Sequence, residues 1–276
     1  MTVQPSRNNH GRPERFRAAV LAGLIACLWG WLDAGSAESA DGTAGAATPD
    51  YVIVLHGMAR TESSMAPLAE RIAAAGYRVF NVGYPGRKLA PEELVAVLRS
   101  ALEDCCADAE RLHFVTHSLG GILVRAHLAE TPDPRVGRVV MMSPPNQGTD
   151  IVDTLGDTWL FRTLMGPTAA QMGTGPESLP ARLPPANFEL GIIGATGSIN
   201  PFGSLLIPGE DDGIVPLCRM WLEGATDTLV VSNSHSLMMH SKDVARQVLS
   251  FLATGRFDHA DETSPPALPR ECGPDE

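Results

Sequence analysis

This 276-residue chain is short of positive charge: 21 Lys and Arg stand against 32 Asp and Glu, a formal net charge of −11. Phosphate backbones are held by clustered cations, so nucleic acid is excluded as a partner. Basic residues gather only near the N-terminus, and no basic run appears elsewhere. The chain also lacks an apolar run of membrane-spanning length. Its best candidate, residues 18–32, falls short of the ~20 residues that cross a bilayer. No glycine-rich phosphate loop occurs, which leaves nucleotides without a cradle. No second close Cys or His pair stands at ligand spacing, so a structural zinc site fits poorly. We therefore expect neither a metal nor another cofactor.

What is present begins with an export-like N-terminus. Arg7, Arg12, Arg15 and Arg17 precede the apolar residues 18–32, and Gly35-Ser36-Ala37 follows as a small-residue cleavage site. That order reads as a signal peptide over 1–37, and the mature protein is expected in the periplasm or outside the cell. Leu24-Ile25-Ala26-Cys27 resembles a lipobox, and an uncleaved anchor is the other rival. The apolar run continuing past Cys27 through Trp29, Trp31 and Leu32 weighs against lipidation. Residues 38–50 read as a flexible linker. Cleavage leaves Cys105, Cys106, Cys218 and Cys272, an even number that permits disulfides without fixing their pairing. The neighbours Cys105 and Cys106 are not expected to bridge each other.

From residue 51 onward, short apolar runs alternate with helical patterns. Strands are expected at 51–55, 78–82, 112–116, 136–142, 188–194 and 228–231. Helices are expected at 63–75, 91–105, 119–129 and 244–252, the second with proline in its first turn. The alternation implies a mostly parallel sheet covered by helices on both faces. Its hydrophobic content of 44%, with 27 Gly and 22 Pro, suits a loop-rich globular fold of one domain, 51–257. The rhythm breaks over 144–187, a lid-like insertion around the apolar piece 159–165. The tail, 258–276, is acidic and proline-rich and is expected to be disordered.

The most informative stretch is Leu112-His113-Phe114-Val115-Thr116-His117-Ser118-Leu119-Gly120-Gly121. An apolar strand runs straight into a serine, and a helix follows, which is the layout of a nucleophile elbow. A nucleophilic serine needs a base late in the chain and an acid to orient that base. His235 follows the last strand and precedes the last helix, which Ser241 can cap, so it is preferred over His240. Asp212, followed by Gly213 and anchored by Ile214-Val215, is preferred over Asp211 as the acid. The order Ser118…Asp212…His235 is that of a hydrolase triad. The developing oxyanion needs two backbone N–H groups, expected from Leu119 and Met58. His56 is read as a scaffold residue of the Met58 loop, and His117 as a side chain turned away from the site.

Val54-Leu55-His56-Gly57-Met58, the serine segment, Ser143-Pro144-Pro145-Asn146-Gln147-Gly148, Asp211-Asp212-Gly213-Ile214-Val215 and Ser234-His235 together resemble a bacterial α/β-hydrolase of the lipase/esterase type, near the PGAP1-like group. The resemblance covers about 51–257 and implies an α/β-hydrolase fold and carboxylic ester cleavage through an acyl-enzyme; acyl transfer, or thioester or amide cleavage, by the same triad is the alternative, and a non-catalytic binding protein on the hydrolase scaffold is a further one. Thr116 departs from it, standing where glycine is usual, which should loosen the elbow. The sheet is a minimal version that lacks the first strands of larger relatives. In the lid-like insertion, Trp159, Phe161 and Leu164, with Leu160 and Met165, are expected to bind the acyl chain of a small ester or lipid. Transient contact with a lipid interface is expected, but the acidic surface argues against strong attraction to anionic headgroups.

Overall fold

The computed structural model describes residues 50–260 and 267–273. The signal-peptide expectation, and all of the linker except Asp50, lie outside the described residues.

Six strands form one sheet, in the order β2-β1-β3-β4-β5-β6, and every neighbouring pair is parallel. They are β1 (Tyr51–Leu55), β2 (Arg78–Val82), β3 (Leu112–His117), β4 (Val136–Met142), β5 (Glu189–Gly197) and β6 (Asp227–Ser234). The helices that link them include α1 (Ala66–Ala74), α2 (Pro91–Cys106) and α3 (Leu119–Glu130). Between β4 and β5 lie α4 (Asp150–Leu155), α5 (Trp159–Ala169) and the short α6 (Leu179–Arg182). After β5 come α7 (Pro201–Leu206) and α8 (Leu217–Met220), and α9 (Lys242–Thr254) closes the fold.

Strand alternation explains the layers. Successive residues of β1 face opposite ways, so Tyr51, Ile53 and Leu55 join one core with Leu94 and Leu98 of α2 and Ile122 of α3. Val52 and Val54 join the other with Leu68 and Ile72 of α1 and Val248 and Phe251 of α9. Both faces of the central strands are therefore buried, which is why β1 reads as an unbroken apolar run. Each such side chain contributes about 1.5–3 kcal/mol by leaving water. Ser241 caps α9, its hydroxyl accepting from the Val244 N–H.

Two expectations are corrected. Cys105 and Cys106 do form a disulfide. Neighbours on a helix point about 100° apart, which argues against such a bridge; it closes in the last turn of α2, where no further helical turn constrains the chain. The tail is not wholly disordered either. Cys272 is bonded to Cys218 of α8, Leu268 is buried, and Arg270 stacks over Trp221. The apolar Leu268 and the crosslink dock a segment whose composition alone reads as solvated.

Candidate active site

β3 lies between β1 and β4 at the middle of the sheet, and its last residue, His117, hands the chain to Ser118. Ser118 takes φ 51° and ψ −121°, a sparsely populated conformation for a residue with a side chain. The turn is held from behind, since the Ser118 N–H donates to Met142 O at 2.9 Å. Close packing behind it demands glycine at 120, where a Cβ would stand 2.9 Å from Leu55 Cβ and 3.0 Å from Leu55 O. Thr116 does not disrupt the elbow. Its side chain is buried, and its hydroxyl lies 3.3 Å from where a Cβ on Gly121 would be. The bulk at 116 is thus accommodated by absent bulk on the facing turn of α3.

Asp212 and His235 meet above the ends of β5 and β6. The His235 Nδ1–H donates to Asp212 Oδ2 at 2.7 Å, and both residues are buried. The other carboxylate oxygen accepts the N–H groups of Ile214 at 3.0 Å and Val215 at 2.9 Å. The His235 N–H also donates to Asp212 O. A carboxylate fixed on both oxygens leaves the ring one orientation, with Nε2 as a lone-pair acceptor. Asp211 serves elsewhere, accepting from Ser204 on α7 and from the Gly213 N–H. His240 lies in a short 3-10 turn and is exposed.

Ser118 and His235 line one cavity of about 310 Å³. The Ser118 hydroxyl has no hydrogen-bond partner among the described residues; such contacts are often long without substrate and tighten when it binds. Met58 and Leu119 line the same cavity, and among the described residues neither backbone N–H has an acceptor. His56 explains how the first is aimed. The Tyr84 N–H donates to His56 Nε2, so Nδ1 carries the proton and donates to Gly57 O at 2.7 Å. Carbonyl and N–H point opposite ways across a trans peptide. Holding Gly57 O on one side therefore turns the Met58 N–H to the other. The His56 ring stacks on Tyr84, whose hydroxyl donates to His56 O. Burial keeps His56 below the usual imidazole pKa, in keeping with a neutral ring.

His117 is not turned away from the site, as expected from the sequence. Its Nε2–H donates to His235 O at 2.8 Å, and the two rings lie 4.7 Å apart. Burial above all, then the neighbouring His235, holds its pKa well below the usual value. Its Nδ1 has no hydrogen-bond partner among the described residues. A buried neutral histidine thus braces the backbone of His235 from beneath the elbow.

The rest of the cavity is mostly apolar, with Arg60, Thr149 and Ser236 as its other polar side chains. Phe161 and Met165 of α5 line it with Ile151, Val152, Met172 and Ile214. Trp159 and Leu164, expected there, do not; they are 76% and 55% exposed. On a helix, residues four apart share a face, so 161 and 165 point inward together and 160 and 164 point outward together. Ile151 and Met172 were missed because nothing in their local pattern distinguishes cavity wall from core.

A serine at the elbow after the third strand, an acid after the fifth and a histidine after the sixth define an α/β hydrolase. The chain belongs to the alpha/beta hydrolase family, whose sequence model matches residues 52–247, and the match does not extend to a PGAP1-like subgroup. No curated protein sequence matches it. Among solved structures it is similar to the mature lipase BlEst2 of Bacillus licheniformis: 18% identity, 75% of this chain and 92% of that one, TM-score 0.56. It is also similar to the metagenomic carboxyl esterase MGS0156: 22% identity, 68% and 64% covered, TM-score 0.54. A third is phospholipase PlaB of Legionella pneumophila: 16% identity, 62% and 45% covered, TM-score 0.51. At these identities the likeness shows the fold alone.

Proposed function

We propose that this protein is a serine hydrolase of carboxylic esters with apolar acyl groups. The observation that carries the reading is the shared cavity: a serine at a strained elbow and a histidine fixed by a buried aspartate open onto one apolar space. In the reaction, Ser118 Oγ attacks the ester carbonyl carbon as its proton passes to His235 Nε2. The N–H groups of Met58 and Leu119 receive the negative charge on the carbonyl oxygen. Collapse breaks the bond to the alcohol, which leaves with the proton from His235. Water then repeats the sequence on the acyl-enzyme, releasing the acid and restoring Ser118. Asp212 keeps the ring in the tautomer that both steps need.

Export is proposed with it. The order of basic, apolar and small residues in 1–37 supports it, and disulfides belong to oxidising compartments.

Hydrolysis of p-nitrophenyl esters from acetate to palmitate, by the wild type and by Ser118→Ala, tests the reading. Wild-type turnover is expected, with Ser118→Ala lower by ~10⁴-fold or more. A folded wild type that neither turns over any ester nor is labelled at Ser118 by a fluorophosphonate would overturn it.

A further inference from the structure

Eight large apolar side chains are exposed among the described residues: Trp159, Leu160, Leu164, Ile199, Phe202, Leu205, Leu206 and Leu237. They are not scattered. The first three lie on α5, whose Phe161 and Met165 line the cavity. The next four lie on α7 and the residue pair before it, beyond the end of β5. α7 is tied to the acid loop, because Ser204 donates to Asp211 and Asn200 to Gly213 O. Leu237 stands two residues after His235. The three groups thus sit on segments that follow β4, β5 and β6, the strand ends at which Ser118 and His235 also stand, with Phe202 and Leu205 more than 80% exposed. Large apolar side chains gathered at one end of a fold are disfavoured in water and mark a contact surface.

Charge identifies what it contacts. Arg60 lines the cavity mouth, and Arg87 and Lys88 line a groove beside it that shares Met58 and is bounded by Leu164. All three cations are exposed, and none is within ion-pair distance of a carboxylate among the described residues. Of the nearby acids, Asp157 is paired with Arg162, while Glu62, Asp153 of α4 and Glu210 are exposed and have no ion pair among the described residues, only Glu62 lying on the side of the three cations. A local basic flank thus adjoins an apolar rim on a chain whose net charge is −11. Remote acids do not cancel it, because exposed charges are screened over about 8–10 Å in physiological salt.

We propose that this rim docks on a lipid–water interface bearing anionic headgroups, with α5, α7 and Leu237 in the acyl layer and Arg60, Arg87 and Lys88 against the headgroups. The inference extends the ester-hydrolase reading, since it delivers a lipid ester to Ser118 without a passage through water. It departs from the expectation, drawn from net charge, that attraction to anionic headgroups is not strong.

The test measures binding, so it stands apart from turnover. Full-length protein carrying Ser118→Ala is co-sedimented with vesicles of phosphatidylcholine alone or mixed with phosphatidylglycerol. Tighter binding to the mixed vesicles is expected. Each cation near an anionic surface accounts for about five-fold in affinity. Arg87→Glu with Lys88→Glu should therefore abolish the preference, lowering binding to the mixed vesicles by roughly 25-fold or more. Phe202→Asp with Leu205→Asp should weaken binding to both vesicle types, with circular dichroism and melting temperature unchanged. Equal binding to the two vesicle types overturns the proposal, as does binding that neither double variant alters, which would trace it to residues 18–32. A wild-type dimer that Phe202→Asp with Leu205→Asp dissociates, without vesicle binding, overturns it in favour of self-association. Failure of ester hydrolysis alone would leave the docking result standing.

Discussion

In the proposed reaction, His56 and His117 both act at one remove from the reacting atoms. His56 holds Gly57 O and so aims the Met58 N–H; His117 holds His235 O and so sets the height of the ring. Loss of an oxyanion donor outright costs ~10²–10³ in turnover. His56→Ala, which frees the peptide without removing it, should lower kcat by about 10-fold or more while KM stays close to wild type. The same split is expected for His117→Ala, measured on a soluble short-chain ester. A change confined to KM would remove both from a positioning role. The sequence marked His56 as scaffold from its place next to Gly57. It could not mark His117, because the partner carbonyl lies 118 residues away in the chain.

At the scale of elements, the segment between β4 and β5 is fastened by one residue of α3. Arg125 is buried, has no carboxylate partner among the described residues, and donates to the carbonyls of Asn146, Pro180, Leu183 and Pro184. Burial lowers its pKa to about 10, so it remains a cation at neutral pH. Arg125→Met strands those carbonyls, and a loss of about 3 kcal/mol or more is expected from urea unfolding. α5 is broken at Gly166, with φ 82°, and a Cβ there would lie 1.8 Å from Arg87 O. Gly166→Ala should cost more than about 1 kcal/mol and displace Met165 from the cavity wall. A raised KM for long-chain esters, with short-chain esters less affected, would report that displacement. Gly166-Pro167 signals a break in sequence, but which residues then face the serine depends on where the 85–89 loop presses.

For the whole molecule, acid should be destabilising. His56, His113, His117 and His127 are buried, and burial is the first cause that holds each below the usual imidazole pKa. As pH falls below about 6.5 the unfolded chain takes up protons at these sites that the folded chain resists. The unfolded state then binds more protons, so stability declines as pH falls and is greatest above that value. Thermal melts between neutral pH and mild acid should show the decline, and His117→Asn should flatten it. The Cys218–Cys272 bridge spans 54 residues of sequence, a loop whose closure is worth about 4 kcal/mol. Cys272→Ser should lower the melting temperature and release Leu268 from the core.

The sequence by itself determined the alternation of strands and helices, the sharp turn at Ser118 and the order in which Asp212 and His235 follow. Each is a local pattern: two-residue and 3.6-residue periods, a turn between them, and the side chains at strand ends. The choice of Asp212 over Asp211 was also legible, because Gly213 and Ile214-Val215 dictate which carboxylate turns inward. Only the tertiary structure decided which face of α5 meets the cavity, that Thr116 fits against Gly121, and that Cys105 pairs with Cys106 and Cys218 with Cys272. It alone set the exposed Leu164 of α5 in one groove with Arg87 and Lys88. Those facts depend on distances between segments far apart in the chain, and periodicity carries no information about them.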